Sequence, residues 1–78
     1  MWNYRVIKFV EGAEEWFEIN EVYYNAFGKP EAYCRATVGE EDIDALKETL
    51  NRMMDCANKP ILKSTEFAKR KTNENIND

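Results

Sequence analysis

Cys34 and Cys56 are the only thiols in the chain, and neither has the partner that nucleophilic or metal chemistry would require. A cysteine attacks as its thiolate, which is usually generated by a neighbouring base, most often histidine. The 78 residues contain no histidine at all. Two thiols far apart in sequence also fall short of the four soft ligands of a structural zinc site. Both read as reduced, small core residues.

The carboxylates give no hydrolytic pair either. Glu18 and Glu21 lie three apart, and on a strand that spacing points them to opposite faces. Glu40, Glu41, Asp42 and Asp44 could attract a divalent cation, but they lack the alternating Asp/Asn loop and central glycine of a calcium site. Such a cluster suits the positive end of a helix dipole instead. The basic triplet Lys69-Arg70-Lys71 offers too few charges for strong phosphate affinity. Residues 1–62 carry seven Lys/Arg against twelve Asp/Glu, an acidic balance that argues against nucleic-acid binding. The sequence therefore predicts no enzyme, no metal and no cofactor.

What remains is the set of elements that would position any binding surface. At 44% hydrophobic, 33% charged and 13% aromatic residues, the composition is that of one small folded domain rich in large rings. Residues 2–10 and 16–25 mix β-branched and aromatic types with polar ones and read as strands joined through 11–15. Pairing Val10 with Trp16 sets Phe9 beside Phe17, Ile7 beside Ile19, Lys8 opposite Glu18 and Arg5 opposite Glu21. Asn25-Ala26-Phe27-Gly28 supplies a type I turn with glycine where φ is positive. Lys29-Pro30 then leads into a third strand at 31–37, with Cys34 opposite Ile19 and Ala36 opposite Phe17.

Ile43, Leu46, Leu50, Met53 and Ala57 recur at three- and four-residue spacing, with Met54 widening the stripe, and predict a helix over 42–57. Asp42 is the N-cap candidate, Asn58 the left-handed C-terminal residue, and Pro60 the stop. Pro60-Ile61-Leu62 reads as an apolar return that packs by the helix end or forms a brief fourth strand. The expected fold class is α+β, a three-stranded antiparallel β-meander (2–10, 16–25, 31–37) packed on one helix. Residues 1–62 form the domain and 63–78 a flexible C-terminal tail, frayed or disordered over 69–78.

One amphipathic helix covers one face of a sheet. In the register above, the other face carries Trp2, Tyr4, Val6, Trp16, Val22 and Tyr24, with Tyr33 from the third strand. An aromatic patch of this extent is a protein-interface signal. The simplest expectation is a homodimer or other protein partner, engaged through this aromatic face or a free strand edge, for a non-enzymatic adaptor or inhibitor. A second reading uses the same rings to stack small molecules or single-stranded nucleic acid. The N-terminus starts in strand-like residues and no apolar run reaches membrane-spanning length, so the expected setting is cytoplasmic, without membrane contact.

Four short stretches in order, Tyr4-Arg5-Val6, Glu21-Val22-Tyr23-Tyr24, Gly28-Lys29-Pro30 and Lys59-Pro60-Ile61-Leu62, resemble a short uncharacterised bacterial protein family. That resemblance spans about residues 2–62 and implies no activity. A looser similarity is to HicB-like antitoxin domains, through Gly39-Glu40-Glu41-Asp42 leading into Ile43 and Leu46. It would imply a βββα core of partial RNase H type that dimerises and blocks a small RNase toxin.

Overall fold

Only Gly12 and Ala13 link the first two strands. In the computed structural model, which describes residues 1–67 and 69–70, β1 spans Trp2–Glu11 and β2 spans Glu14–Tyr24, with Glu11 paired to Glu14. Gly12 has φ +62° and Ala13 does not share the positive sign. That pattern marks a two-residue type II′ hairpin, whose twist matches that of the flanking strands.

The tight turn fixes the register. Phe9 faces Trp16, Ile7 faces Glu18, Arg5 faces Asn20 and Trp2 faces Tyr23. This is one residue away from the expected pairing of Val10 with Trp16. Because side chains alternate along a strand, a one-residue shift changes which residues of β2 share a face with which residues of β1. The expected neighbours Phe9–Phe17, Ile7–Ile19, Lys8–Glu18 and Arg5–Glu21 therefore do not form.

The second turn matches its sequence signal. Gly28 adopts φ +81°, its amide donates to the Asn25 carbonyl, and the Asn25 Oδ1 accepts from the amides of Phe27 and Lys29. Strand β3, Pro30–Arg35, follows antiparallel to β2, with Glu21 opposite Cys34, Val22 opposite Tyr33, and an irregularity between Tyr23 and Tyr24. Cys34 sits two residues along from its expected partner Ile19, which leaves it on the same face.

Helix α1, Ile43–Cys56, begins where the acidic cluster predicts, with the Asp42 side chain accepting from the Ala45 amide at 2.8 Å. Its end differs from expectation. Among the described residues only glycines have positive φ, so Asn58 is not a left-handed cap. The helix instead unwinds through tighter bonds from Ala57, Asn58 and Lys59 to the carbonyls three residues back.

The sheet is mixed, in the order β4-β1-β2-β3-β5, where β4 is Leu62–Lys63 and β5 is Lys69–Arg70. The short strands run parallel to β1 and β3 on opposite edges. A 3-10 turn at Ser64–Glu66 and Phe67, whose ring packs on Tyr33 at 4.9 Å, carry the chain between them. The Pro60-Ile61-Leu62 return thus feeds a fourth strand. Residues 63–67, expected as flexible tail, belong to the fold. Residue 68 and residues 71–78 of that tail lie outside the described residues.

The sheet is strongly coiled. Phe9 and Tyr33 lie on strands separated by β2, where their partners Trp16 and Val22 are six residues apart. A flat strand would separate them by roughly 20 Å at about 3.3 Å per residue. Their ring centroids are 5.5 Å apart, so the face they share is concave.

That concave face holds the core. Ile7 and Val22 are fully buried on it, along with Asn20. Helix α1 packs against β1 on this side with Thr49, Met53 and Cys56 buried. At 100° per residue that contact face is rolled by roughly 70° from the expected stripe. Met53 alone of the stripe is buried, while Ile43, Leu50 and Met54 stay 60, 46 and 70% exposed. The Thr49 hydroxyl on this face donates to Glu40 at 2.8 Å.

Gly12→Ala tests the turn. An added Cβ meets nothing within 4 Å, so the cost is purely the positive φ. We expect a loss of about 1–2 kcal/mol, read as a lower urea midpoint at unchanged slope.

Candidate functional site

The convex face is where neither α1 nor Phe67 packs. Pairing places Trp2, Tyr4, Val6, Lys8 and Val10 of β1 on it with Glu15, Phe17, Ile19, Glu21 and Tyr23 of β2, and Ala32 and Cys34 of β3. Three of the expected interface residues, Trp2, Tyr4 and Val6, meet here. The other four, Trp16, Val22, Tyr24 and Tyr33, lie on the concave side.

Each of those four has an internal role. Val22 is sealed under the core. Trp16 stacks on Phe9 at 5.6 Å and donates its indole N–H to Glu18 at 3.0 Å. Tyr33 bridges Phe9 and Phe67 edge-on. The Tyr24 hydroxyl donates to Asn3 Oδ1 at 2.8 Å and accepts from Arg5 Nη1 at 3.2 Å.

Phe17, Ile19 and Tyr23 are the convex residues that the sequence reading assigned elsewhere or left unassigned. The signal that finds them is the Gly12-Ala13 pair, since a Gly-X two-residue loop fixes the parity of the whole hairpin. Trp2 is 44% exposed and Phe17 53%. Trp2 packs edge-on against Tyr4 at 5.2 Å and at a tilt against Tyr23 at 6.5 Å, giving a three-ring cluster at one end of the face.

The face is chemically quiet. Its charged groups are Lys8, Glu15 and Glu21. Lys8 reaches Glu15 at 3.8 Å. Glu21 accepts from the Tyr23 hydroxyl at 2.6 Å and from the Cys34 thiol at 3.6 Å. The bond to Glu21, with burial and Cys34 adding to it, holds the Tyr23 hydroxyl well above its ordinary value of 10.0.

On the opposite side, burial pushes the Cys56 thiol up, with Lys59 and Arg5 pulling the other way. Cys34 and Cys56 lie on opposite faces of the sheet. Two of the acidic residues at the helix start are engaged within the fold, Asp42 as N-cap and Glu40 as acceptor from Thr49. No described helix is long and apolar enough to cross a membrane.

Comparison with protein-family models, with curated proteins and with solved structures finds no match for this chain. The functional reading therefore rests on the surface itself.

The Tyr23 cluster has a consequence in alkali. A hydroxyl whose folded value is raised contributes stability that is fully present below its unfolded value near 10 and is lost as pH climbs through the folded one. Absorbance titration of the phenolates should show one tyrosine resisting ionisation, absent in Tyr23→Phe. Glu21→Gln should bring that late phase down. An unchanged late phase in Tyr23→Phe would assign it to another ring.

Proposed function

We propose that this protein is a non-enzymatic protein-interaction module, acting as a homodimer, with the Trp2, Tyr4 and Tyr23 end of its convex aromatic face at the contact. One observation carries the reading. A coiled sheet with its helix and its Phe67 strap on the concave side leaves Trp2, Val10 and Phe17 more than 40% exposed on the other. Trp2 stands with Tyr4 and Tyr23 at one end of the face and Val10 with Phe17 at the hairpin end, the half-buried Val6 and Ile19 lying between them.

Exposed aromatic clusters of this kind gain most from burial against a partner, because rings bury large areas at small entropic cost. The charges on the face favour the same use. Lys8 with Glu15, and Glu21 with its two donors, already have partners that travel with them into an interface. An adaptor or an inhibitor is the functional class such a surface serves. Stacking of nucleic acid is disfavoured by the charge balance, since phosphates would meet a chain of net charge −4.

Sedimentation equilibrium from micromolar to millimolar chain should give twice the 9.2 kDa protomer mass. Trp2→Asp combined with Tyr23→Asp should yield a folded monomer with unchanged far-ultraviolet circular dichroism. A wild-type protein that stays monomeric throughout would remove the homodimer, and a double variant that unfolds would reassign the rings to the core.

A further inference from the structure

The hydrogen-bonding direction of β1 can be read from a single contact. The Tyr24 amide donates to the Met1 carbonyl at 3.1 Å, which makes that opposed pair a hydrogen-bonded one. Hydrogen-bonded and non-hydrogen-bonded pairs alternate along an antiparallel ladder. Odd-numbered residues of β1 therefore turn their N–H and C=O toward β2. Trp2, Tyr4, Val6, Lys8 and Val10 turn theirs outward, to the far edge of the strand.

Strand β4 meets that edge only at Ile7 and Lys8. Just before it, Pro60 is held at the same edge by Arg5, whose Nη2 donates to the Pro60 carbonyl at 2.6 Å. Among the described residues no loop or turn backbone group hydrogen-bonds the outward N–H and C=O of Trp2 and Tyr4. The other end of β1 is open too, at Val10, but Glu11, Glu14 and Glu15 crowd it. On the opposite side of the sheet, β3 starts with proline and has β5 beside Ala32 and Tyr33.

Natural sheets guard their edges with charges, prolines, bulges or cover. Among the described residues, Trp2-Asn3-Tyr4 shows none of these. We propose that a second copy of this chain occupies this edge, the two β1 strands pairing antiparallel about a two-fold axis at Asn3. This rests on the homodimer reading above and specifies its geometry.

The register follows from the outward groups. Trp2 must oppose the partner's Tyr4 and Tyr4 the partner's Trp2, so that outward residues meet outward residues and exchange four ladder bonds. Asn3 then faces its symmetry mate as a non-hydrogen-bonded pair. No charged side chain lies within the paired segment, so two acidic molecules meet without like-charge repulsion there. Trp2 and Tyr4 lie on the convex face in both copies, and their edge-on packing at 5.2 Å within a protomer is extended by the same ring types across the seam. The two convex faces join into one continuous sheet surface, and Phe17, paired with Lys8 toward the hairpin end, stays clear of the seam.

Three variants separate this edge pairing from face-to-face stacking. Tyr4→Pro removes an outward N–H that β2 does not use, so it should leave the protomer folded and abolish dimerisation. Tyr4→Ala keeps the N–H and should retain dimerisation with roughly tenfold weaker affinity, the ring contribution alone. Phe17→Asp should dimerise as the wild type does.

If Tyr4→Pro and Tyr4→Ala behave alike while Phe17→Asp is monomeric, the edge geometry is overturned and the convex-face reading stands. A monomeric wild type overturns both. Should Tyr4→Pro fail to fold, amide exchange in the wild type decides the matter. The Trp2 and Tyr4 amides should exchange at least tenfold more slowly in concentrated than in dilute protein, with Val10 unaffected, and concentration-independent exchange at Trp2 and Tyr4 overturns the proposal.

Discussion

The parity of the β1–β2 hairpin decides almost everything else in this molecule. With two residues in the loop, Ile7 and Val22 fall on the same side of the sheet and Phe9 falls beside Trp16. Together with Tyr33 and Phe67 these residues close the concave core. With one more or one fewer residue between the strands, Ile7 would share its face with Phe17 and Ile19 while Val22 and Trp16 faced outward. Burial of a large apolar side chain stabilises by ~1.5–3 kcal/mol, so moving several of them is comparable to the entire stability of so small a domain. The turn glycine thus holds a global choice through one local dihedral angle.

Arg5 ties the helix to that sheet. The last turn of α1 has no basic residue to meet the negative end of its dipole. The Arg5 guanidinium, reaching across from β1 to the Pro60 carbonyl just beyond the helix end and acting on the Cys56 thiol, brings a positive charge to that region. Its Nε is buried with no hydrogen-bond partner among the described residues, a cost the two Nη bonds offset. Nearby, Asn20 is buried and donates to Glu18, which also holds Trp16 and lies 3.7 Å from Arg35. The concave face is therefore part apolar and part polar network. Networks of that kind cost stability when half-formed and favour one arrangement when complete.

Much of the architecture was legible in the residues. Strand and helix types, the Asp42 cap, the positive-φ Gly28 turn and the fourth strand after Pro60 all follow from local chemistry that tertiary contacts do not override. What misled was non-local or close to degenerate. Placing Glu11 to Glu15 in the turn gave a register with two apolar and two opposite-charge pairs, and that consistency was accidental. Only the Gly12-Ala13 loop distinguished it from the true one. The helix stripe was right only at Met53 among the buried positions, because apolar spacing marks large side chains while the contact also took the small Thr49 and Cys56. Residues 63–67 looked like tail since their one strong anchor, Phe67, gains its partner Tyr33 only through the folded sheet.

The same parity explains why the surface read from sequence was half right in membership yet unchanged in kind. Trp2, Tyr4 and Val6 keep their face whatever β2 does, because they belong to the strand whose odd residues face the core. Shifting β2 exchanges Trp16, Val22 and Tyr24 for Phe17, Ile19 and Tyr23, one aromatic and aliphatic set for another. A hairpin with large apolar side chains on both faces of both strands exposes an aromatic surface in either register, and one short helix cannot shield two sides. What the register determines is the polar company of that surface. The observed pairing puts Glu18 and Asn20 on the concave side, with an exposed Arg35 reaching Glu18 from its edge, and leaves on the convex side three charged groups that are already engaged, Lys8 and Glu15 with each other and Glu21 with Tyr23 and Cys34. Burying a charge that has its partner beside it costs far less than burying a lone one. The convex face is thus the side of the sheet that can lose water at the smaller penalty.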